Sequence, residues 1–350
     1  MLSATARGVA LLAAACAVMS PPANAQDIGS YVSFVSIRTG DAHIYRTGPS
    51  GAEVKLTSDG TNNNQPSWST DGKVIAFTSN RQGVTRIFLM NPDGSGVRAL
   101  TRDGRIETAP SLSPDGTSIA FYSQDPASGQ IDLRVVALGS GATTVINANG
   151  RDMGPTKPSW SADGRRLAFP VHREEKQYEI WVANSDGSGA RIVSDKFGKR
   201  GKGDPAMSPD GKRVAYVADM RGPMHLAVTD LETGESVDLT PNVLATHESP
   251  KWSPDGKRIA FASTRDDPEV VRSDIFVMNA DGTGLRNLTR HPGEDFNPSW
   301  SVDGTTIFFT SLRSGTAQLF AVDVAGGRTQ RITNNQSHDM EQAPGPVASH

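Results

Sequence analysis

The sequence predicts an all-β protein, a β-propeller built from four-stranded antiparallel blades. A proline-led segment recurs six times, two further short apolar runs follow it in each repeat, and no segment sustains a 3.6-residue apolar period. The copies lie at intervals of 44 to 48 residues and begin at Pro66, Pro110, Pro158, Pro205, Pro250 and Pro298. Repeats of this length with four short strands are typical of propeller blades, which bury both faces only when a ring closes.

Each repeat contains four candidate strands separated by turn residues. The copy at Pro66, PSWSTDGKVIAF, has an Asp-Gly pair between two β-type runs, which predicts a tight hairpin with positive φ at both central residues. A third run, such as DIFVMNADGTG at Asp274, and a fourth, such as NLT at Asn287, complete the repeat. Aromatic residues at matched positions are expected to pack between blades: Trp68, Trp160, Trp252, Trp300, Phe77, Phe169, Phe261 and Phe309.

The two ends of the repeat array together predict one more blade. Residues 31–57 contain the second, third and fourth strands of a repeat, without a first strand. Pro344 follows Ile332 at nearly the spacing that separates Pro298 from Leu288, so the C-terminal residues can provide the missing strand. Seven blades closed by strands from both termini are therefore favoured, since this closure removes a free edge. Six blades stay possible, because Pro344-Gly345-Pro346 is a poor strand-forming run.

The first 25 residues have the pattern of a secretory signal peptide. Arg7 precedes an apolar run over residues 9–19, and Ala23-Asn24-Ala25 offers a cleavage site. A lipoprotein anchor at Cys16 is the less favoured alternative. Cleavage would leave residues 26–350 as a single exported propeller domain without cysteine.

Composition and charge exclude several classes of function. The formal net charge is −3, without the basic excess that a nucleic-acid binder usually shows. Beyond the N-terminus no stretch approaches the ~20 apolar residues of a membrane span. The chain also lacks a G-x-S-x-G nucleophile elbow, H-E-x-x-H and a P-loop. We therefore expect a protein that is not an enzyme, with no nucleic-acid partner and no membrane span, present as a monomer.

The P-x-W-S-x-D-G-x-x-I-A-F segments, followed by D-G-S-G and L-T, resemble the repeat of the TolB-type propeller family. The resemblance extends from Tyr31 to Pro344. It implies a periplasmic protein of the cell envelope, with a peptidoglycan-associated lipoprotein as a partner by analogy. The resemblance also implies an α/β domain before the propeller, with an N-terminal segment that contacts TolA. Here the first strand follows the predicted cleavage site closely, so this domain is expected to be missing.

Candidate site residues lie in the loops that lead into the innermost strands, which should gather at one mouth of the channel. The residues three before successive motif prolines include Asn63, Glu107, Lys202, His247, Asp295 and Glu341, and nearby loops add Glu248, His291, Glu294 and His338. Carboxylates and neutral imidazole are suitable ligands for a divalent cation. We therefore interpret His247, Asp295 and Glu341 as a possible calcium or manganese site and the other seven residues as a partner-binding surface.

Four arginines occupy one position of the repeat, between its second and third strands. They are Arg38, Arg81, Arg265 and Arg313. Recurrence at one position predicts a structural hydrogen-bond role within each blade rather than a role in binding.

The leading functional hypothesis is a non-enzymatic scaffold that binds an envelope protein or peptide at a channel mouth, without a required cofactor. One alternative is a metal-assisted polysaccharide lyase or hydrolase, for which oligogalacturonate lyases of this propeller type provide the precedent. None of the residues directly before the motif prolines is a histidine, which counts against the His-rich metal site of those lyases. A cation or small-ligand binding protein is the other alternative.

Overall fold

The computed structural model describes residues 30–48, 51–148, 150–154, 156–172, 177–193, 197, 201–220, 222–241, 244–267, 269 and 272–347. These residues form seven four-stranded antiparallel sheets, which are the seven blades of a propeller. In this part of the chain no helix is long and apolar enough to cross a membrane. The predicted signal peptide and Cys16 lie outside the described residues.

The blades follow one another along the chain, each built from its innermost to its outermost strand. Blade 1 joins the two ends of the described chain through β28 (Asp339–Val347), β1 (Ser30–Thr39), β2 (Asp41–Thr47) and β3 (Glu53–Lys55). Blade 2 contains β4 (Asn63–Trp68), β5 (Ile75–Ser79), β6 (Arg86–Met90) and β7 (Arg98–Ala99). Blade 3 contains β8 (Ile106–Leu112), β9 (Ser118–Gln124), β10 (Ile131–Ala137) and β11 (Thr143–Ile146). Blade 4 contains β12 (Ser159–Trp160), β13 (Arg166–His172), β14 (Tyr178–Asn184) and β15 (Arg191–Ile192).

Blades 5 to 7 repeat this arrangement. Blade 5 contains β16 (Lys202–Met207), β17 (Arg213–Asp219), β18 (Met224–Asp230) and β19 (Ser236–Asp238). Blade 6 contains β20 (His247–Trp252), β21 (Arg258–Ser263), β22 (Asp274–Asn279) and β23 (Arg286–Asn287). Blade 7 contains β24 (Asp295–Trp300), β25 (Thr306–Ser311), β26 (Gln318–Asp323) and β27 (Thr329–Arg331).

Tryptophans pack between adjacent blades, as the sequence predicts. Trp160 of blade 4 lies in one core cluster with Tyr122 and Leu133 of blade 3. The indole of Trp252 also donates a hydrogen bond to the Ala206 carbonyl of the preceding blade (2.9 Å). The buried indole ring and its N–H hydrogen bond both lie at the blade junction, and together they stabilise the ring of blades without a disulfide.

The Asp-Gly turns differ from the predicted tight hairpin. In blade 2 the Gly72 amide donates to the Ser69 carbonyl (3.0 Å) and the Ser69 amide to the Val74 carbonyl (2.9 Å). Only Gly72 has a positive φ, of 70°, whereas Asp71 is not in the left-handed region. The Asp71 carboxylate accepts hydrogen bonds from the Ser69 hydroxyl (2.7 Å) and the Lys73 amide (3.1 Å) instead. The aspartate therefore closes a longer turn through its side chain, and the two-residue prediction was wrong.

The C-terminal strand confirms seven blades but corrects the predicted register. β28 pairs with β1, and Asp339 lies opposite Ser36 in the way that Asp295 lies opposite Ser311. Asp339, rather than the predicted Glu341, is therefore the equivalent of Asp295 and His247, and Pro344 does not occupy the motif-proline position. Irregular pairing between Ser30 and Val32 accommodates the proline-rich end of β28, and a second irregularity, between Ser33 and Val35, lies opposite Glu341.

Candidate functional site in the central channel

The innermost strands surround the channel, and six of the seven pairs of neighbouring inner strands contact each other. All seven run in one direction, so the channel has two chemically different ends. We call the end at which these strands begin the strand-start mouth, and the end at which the Asp-Gly turns follow them the turn mouth. The predicted site residues belong to the strand-start half.

Six of the innermost strands contain one residue with left-handed backbone. Their φ angles lie between 49° and 56°, and the residues are Gln65, Ala109, Asp204, Ser249, Asn297 and Glu341. In five blades this residue directly precedes the motif proline, which disfavours the right-handed helical conformation there. The strand pairing is irregular at the same place, for example between Asn64 and Ser67. The resulting bulge turns backbone amides of the inner strand toward the neighbouring blade.

Side chains at this level link successive blades. The Gln65 amide donates to Glu341 Oε2 (2.6 Å), the Ala109 amide to Gln65 Oε1 (2.8 Å), and the Ser249 amide to Asp204 Oδ2 (3.1 Å). In each case the acceptor belongs to the preceding blade. We call these six residues, together with Lys157 of blade 4, the channel girdle. The girdle satisfies backbone donors that the left-handed residues would otherwise leave unpaired.

Lys157 spans two blades within the girdle. Its Nζ donates to the Pro66 carbonyl of blade 2 (3.0 Å), although blade 3 lies between them. The channel walls remove part of its hydration and lower the pKa of Lys157 to about 8, while the Glu341 carboxylate acts in the opposite direction. The ammonium is therefore held at a fixed place in the channel interior.

Five predicted site residues lie at the starts of inner strands with buried side chains, rather than in loops. They are Asn63, Glu107, Lys202, His247 and Asp295. Glu107 Oε2 accepts from the Ile87 amide (3.1 Å), and Glu107 Oε1 accepts from Thr101. Burial raises the pKa of Glu107. This position therefore faces the interior of the blade, so these five side chains do not form a surface for a partner.

The repeated arginines have the structural role that the sequence predicts in three blades. Arg313 forms an ion pair with Asp295 (2.6 Å) and donates from Nε to Ser311 Oγ (2.9 Å). Its guanidinium lies 4.7 Å from the centre of the Phe320 ring. Arg38 with Asp339 and Arg81 with Asn63 repeat this arrangement in blades 1 and 2.

Blade 6 departs from the pattern because His247 occupies the position of the acid. His247 is fully buried, and neither ring nitrogen has a hydrogen-bond partner among the described residues. The ring lies edge-on to Phe261, with centroids 5.5 Å apart. Burial lowers the pKa of His247 to about 4. The imidazole is therefore neutral at physiological pH.

Four predicted residues remain exposed at the strand-start mouth. His291 and His338 each accept a backbone hydrogen bond at Nδ1, from Gly293 (2.8 Å) and Ala317 (3.2 Å) respectively. The carboxylates of Glu248 and Glu294, on neighbouring blades, have no hydrogen-bond or ion-pair partner in the described ranges. Partial burial, Asp204 and Glu294 raise the pKa of Glu248. The mouth therefore has an uncompensated negative charge on one side.

The three residues of the predicted cation site have different surroundings. Asp295 is paired with Arg313, Glu341 accepts from the Gln65 amide, and His247 packs on Phe261. Among the described residues no three His, Cys, Asp or Glu side chains form a group that could hold a metal ion. The cation site stays a prediction, which metal analysis of the purified protein would test.

Comparisons with known proteins agree with this architecture. The family model described as the TolB beta propeller domain matches residues 4–174 and again residues 166–346. The Tol-Pal system protein TolB of Bordetella pertussis is 34% identical over 163 residues, which are 46% of this chain and 35% of that protein. The chain therefore matches about a third of the length of this curated relative.

Solved structures with different activities share the fold. The putative TolB of Agrobacterium tumefaciens superposes with a TM-score of 0.55 at 20% identity, covering 72% of this chain and 89% of its own. An oligogalacturonate lyase in complex with manganese gives a TM-score of 0.67 at 14% identity, covering 89% and 87%. Such low identities show the fold alone. On the evidence of the family model over nearly its whole length, the chain belongs to the TolB beta propeller domain family.

Proposed function

We propose that the chain is an exported, non-enzymatic scaffold that binds a basic segment of a cell-envelope protein at the strand-start mouth. The observation that carries this proposal is the unpaired negative charge of Glu248 and Glu294 on adjacent blades. Partial burial and then the like charges of Asp204 and Glu294 raise the pKa of Glu248, and a bound cation would relieve the repulsion between these carboxylates. A Lys or Arg side chain of a partner would provide that cation.

Family membership supports the envelope role. The Bordetella pertussis relative is named a Tol-Pal system protein, and the sequence resemblance implies a peptidoglycan-associated lipoprotein as a candidate partner. The signal-peptide pattern of residues 1–25 is consistent with export to the periplasm. Tol-Pal participation is itself part of the proposal, because the chain matches only a part of that relative.

We do not extend the lyase activity of the manganese-bound neighbour to this chain, since a likeness at 14% identity shows the fold alone. The histidines exposed at the strand-start mouth, His291 and His338, are engaged through Nδ1 by backbone amides. These contacts give both imidazoles a structural role in their loops, and the binding hypothesis accounts for the mouth without a reaction.

A site-specific crosslinking experiment in the native host tests this proposal. A photoreactive residue replaces Asn64 or Thr108, which lie on the inner strands near the strand-start mouth, and in a control it replaces Val237, which is 55% exposed on β19. We expect an envelope protein to be captured from the mouth positions and not from β19.

Charge variants show whether capture depends on the carboxylates. The double substitution Glu248→Gln and Glu294→Gln should reduce capture several-fold. The matched pair Glu232→Gln and Glu235→Gln removes the same charge from an exposed turn of blade 5 and should leave capture unchanged. Equal capture by all three proteins, or equal labelling from β19, would refute binding at this mouth.

A further inference from the structure

A cavity of about 390 Å³ opens at the turn mouth, opposite the site discussed above. Its wall includes the prolines of three Asp-Gly turns, Pro114, Pro209 and Pro254, and the indoles of Trp160, Trp252 and Trp300. These tryptophans are only 8% exposed, so their ring edges form a rigid wall rather than mobile surface groups. Apolar walls of this kind with few polar groups are typical of ligand sites.

One cation lies in this apolar cavity. Lys251 is the only charged side chain among the described residues that line it. Its Nζ has no hydrogen-bond or ion-pair partner in the described part of the chain. The channel wall removes part of the hydration of Lys251 and lowers its pKa, although the side chain stays accessible from the cavity. The Asp204 carboxylate acts in the opposite direction and already accepts a hydrogen bond from the Ser249 amide. An anion in the cavity would therefore meet an accessible ammonium that has no direct ion-pair partner in the described ranges and on which Asp204 acts only at longer range.

A second lysine adds to the positive potential. Lys157 lies in the girdle, and Lys251 is one of the groups that lower the pKa of Lys157. Two ammonium groups that repel each other are both stabilised when an anion approaches. The cavity therefore favours a negative over a positive ligand group.

The cavity ends below the girdle. None of its described lining residues belongs to the girdle, and its deepest residues on the inner strands are at the level of Lys251, Ser159, Ala206 and Ser299. Within the girdle the Lys157 side chain reaches the Pro66 carbonyl two blades away (3.0 Å), so a polypeptide passing through the channel would meet this contact. The end of a chain can enter the cavity without reaching that contact, and of the two ends only the C-terminus carries a negative charge.

We propose that this cavity binds the C-terminal end of a partner polypeptide, with the terminal carboxylate at Lys251 and the last apolar side chains against the tryptophans and prolines. This site is separate from the strand-start mouth, and its existence does not depend on the scaffold function proposed above. Charge complementarity at Lys251 and the apolar wall of tryptophans and prolines are the two features that select this ligand.

Peptide titration of the purified full chain tests the proposal. The probes are the four-residue peptides Gly-Gly-Val-Phe and Gly-Gly-Leu-Leu, each as the free acid and as the C-terminal amide. Binding is followed by isothermal titration calorimetry and by intrinsic tryptophan fluorescence, which reports directly on the cavity wall. We expect at least one free acid to bind, and its amide to bind about tenfold more weakly or less, a difference of about 1.4 kcal/mol.

Two lysine variants with matched chemistry complete the experiment. Lys251→Met keeps the length and apolar stem of the side chain and should weaken binding of the acid about tenfold without changing that of the amide. Lys257→Met removes a charge from an exposed position of the Asp-Gly turn in the same blade and should bind like wild type. Thermal unfolding of each variant establishes that it is folded, and Lys251→Arg should retain preference for the acid.

Several results would overturn the proposal. They are equal binding of acid and amide, unchanged acid binding by Lys251→Met, and no binding of any free acid up to about 1 mM, which corresponds to about −4 kcal/mol. If 3-phenylpropionate binds as tightly as the peptides, the ligand is a small organic acid rather than a polypeptide end. If phosphate buffer alone abolishes binding, the cavity selects any anion, and the apolar wall has no part in recognition.

Discussion

Replacing Arg313 by methionine should destabilise the propeller mainly through the acid that it leaves behind. The Asp295 side chain has no exposed area, and Arg313 is its ion-pair partner at 2.6 Å. Methionine preserves the apolar stem against Phe309 and Phe320 but removes the guanidinium. Breaking a buried pair in this way costs about 3–5 kcal/mol, because one charge stays buried without compensation.

Blade 2 provides an internal comparison for this magnitude. There the equivalent arginine, Arg81, contacts the neutral Asn63 (2.9 Å) and an ion-pair partner, Asp59, whose side chain is 29% exposed. After Arg81→Met no fully buried carboxylate is left unpaired, and Asp59 can be hydrated. The cost there should be about 1–3 kcal/mol, the usual cost of an unsatisfied buried polar group.

Urea unfolding at pH 8 and pH 5 distinguishes the two variants. Burial already raises the pKa of Asp295 above its ordinary value despite Arg313, and loss of the arginine would raise it further. When the pKa of Asp295 is higher in the folded state than in the unfolded state, the folded protein binds its proton at a higher pH than the unfolded chain does. Falling pH then favours the folded state, so Arg313→Met should recover stability toward pH 5. The additional substitution Asp295→Asn, which copies blade 2, should restore about 2 kcal/mol at pH 8.

Three outcomes would refute this reasoning. The first is that Arg313→Met loses no more free energy of unfolding than Arg81→Met does. Its loss could be the same at both pH values. Alternatively, Asp295→Asn could add its own cost to that of Arg313→Met instead of reducing it. Any of these would mean that the arginine acts through packing and not through the buried charge.

Two further perturbations follow from individual buried residues. Because burial lowers the pKa of His247 to about 4 from 6.5, the stability that its neutral form provides is complete above pH 6.5 and lost as the pH falls toward 4, by about 3 kcal/mol. His247→Leu should show a correspondingly smaller loss of unfolding free energy between pH 7 and pH 4, and an unchanged loss would contradict the assignment. A Cβ on Gly345 would lie 3.0 Å from the Trp68 ring, so Gly345→Val should weaken the closure between β28 and blade 2 by about 1–3 kcal/mol. Gly139→Val is its control, since a Cβ there meets nothing within 4 Å, and equal melting temperatures for the two variants would contradict the overpacking argument.

The repeat made the ring predictable, whereas local backbone conformation limited what could be predicted at the site. Spacing of the motif prolines is a property of whole blades, so it identified six units, and the strand pattern of residues 31–57 together with the C-terminal residues favoured a seventh, split blade 1. The register of β28 could not be predicted in the same way. Pro344 resembles the motif proline but lies opposite Val32. The motif-proline position is instead taken by Gln342, which directly precedes Ala343, the residue that pairs with Ser33. The pairing of Asp339 with Ser36 and Arg38 decides the register, and this requires knowing which side chains face the blade interior.

The site residues illustrate the same limit. Asn63, Glu107 and His247 are polar and follow loops, which made them candidates for a surface. In the structure they are buried by the second strand and the adjacent blade. One signal in the sequence does indicate that these positions are buried. Arginines recur at a fixed distance after them in the repeat, and in the structure Arg81 contacts Asn63 and Arg313 contacts Asp295. Glu248 and Glu294 have no such recurring partner, and they are the predicted carboxylates that remain unpaired at the mouth.

The girdle gives the two proposed sites their independence. The Glu341 side chain accepts a hydrogen bond from the Gln65 amide, and the Gln65 side chain accepts one from the Ala109 amide, so these residues are fixed by the ring rather than by a ligand. A basic segment at Glu248 and a carboxylate at Lys251 would therefore lie on opposite sides of one hydrogen-bonded layer. Their main coupling would be electrostatic, through Asp204, which influences the pKa of both Glu248 and Lys251. Replacing Asp204 by asparagine should consequently weaken binding of a cationic segment at the strand-start mouth and strengthen binding of a carboxylate at the turn mouth. A change of affinity in the same direction at both mouths would show that the girdle acts by shape and not by charge.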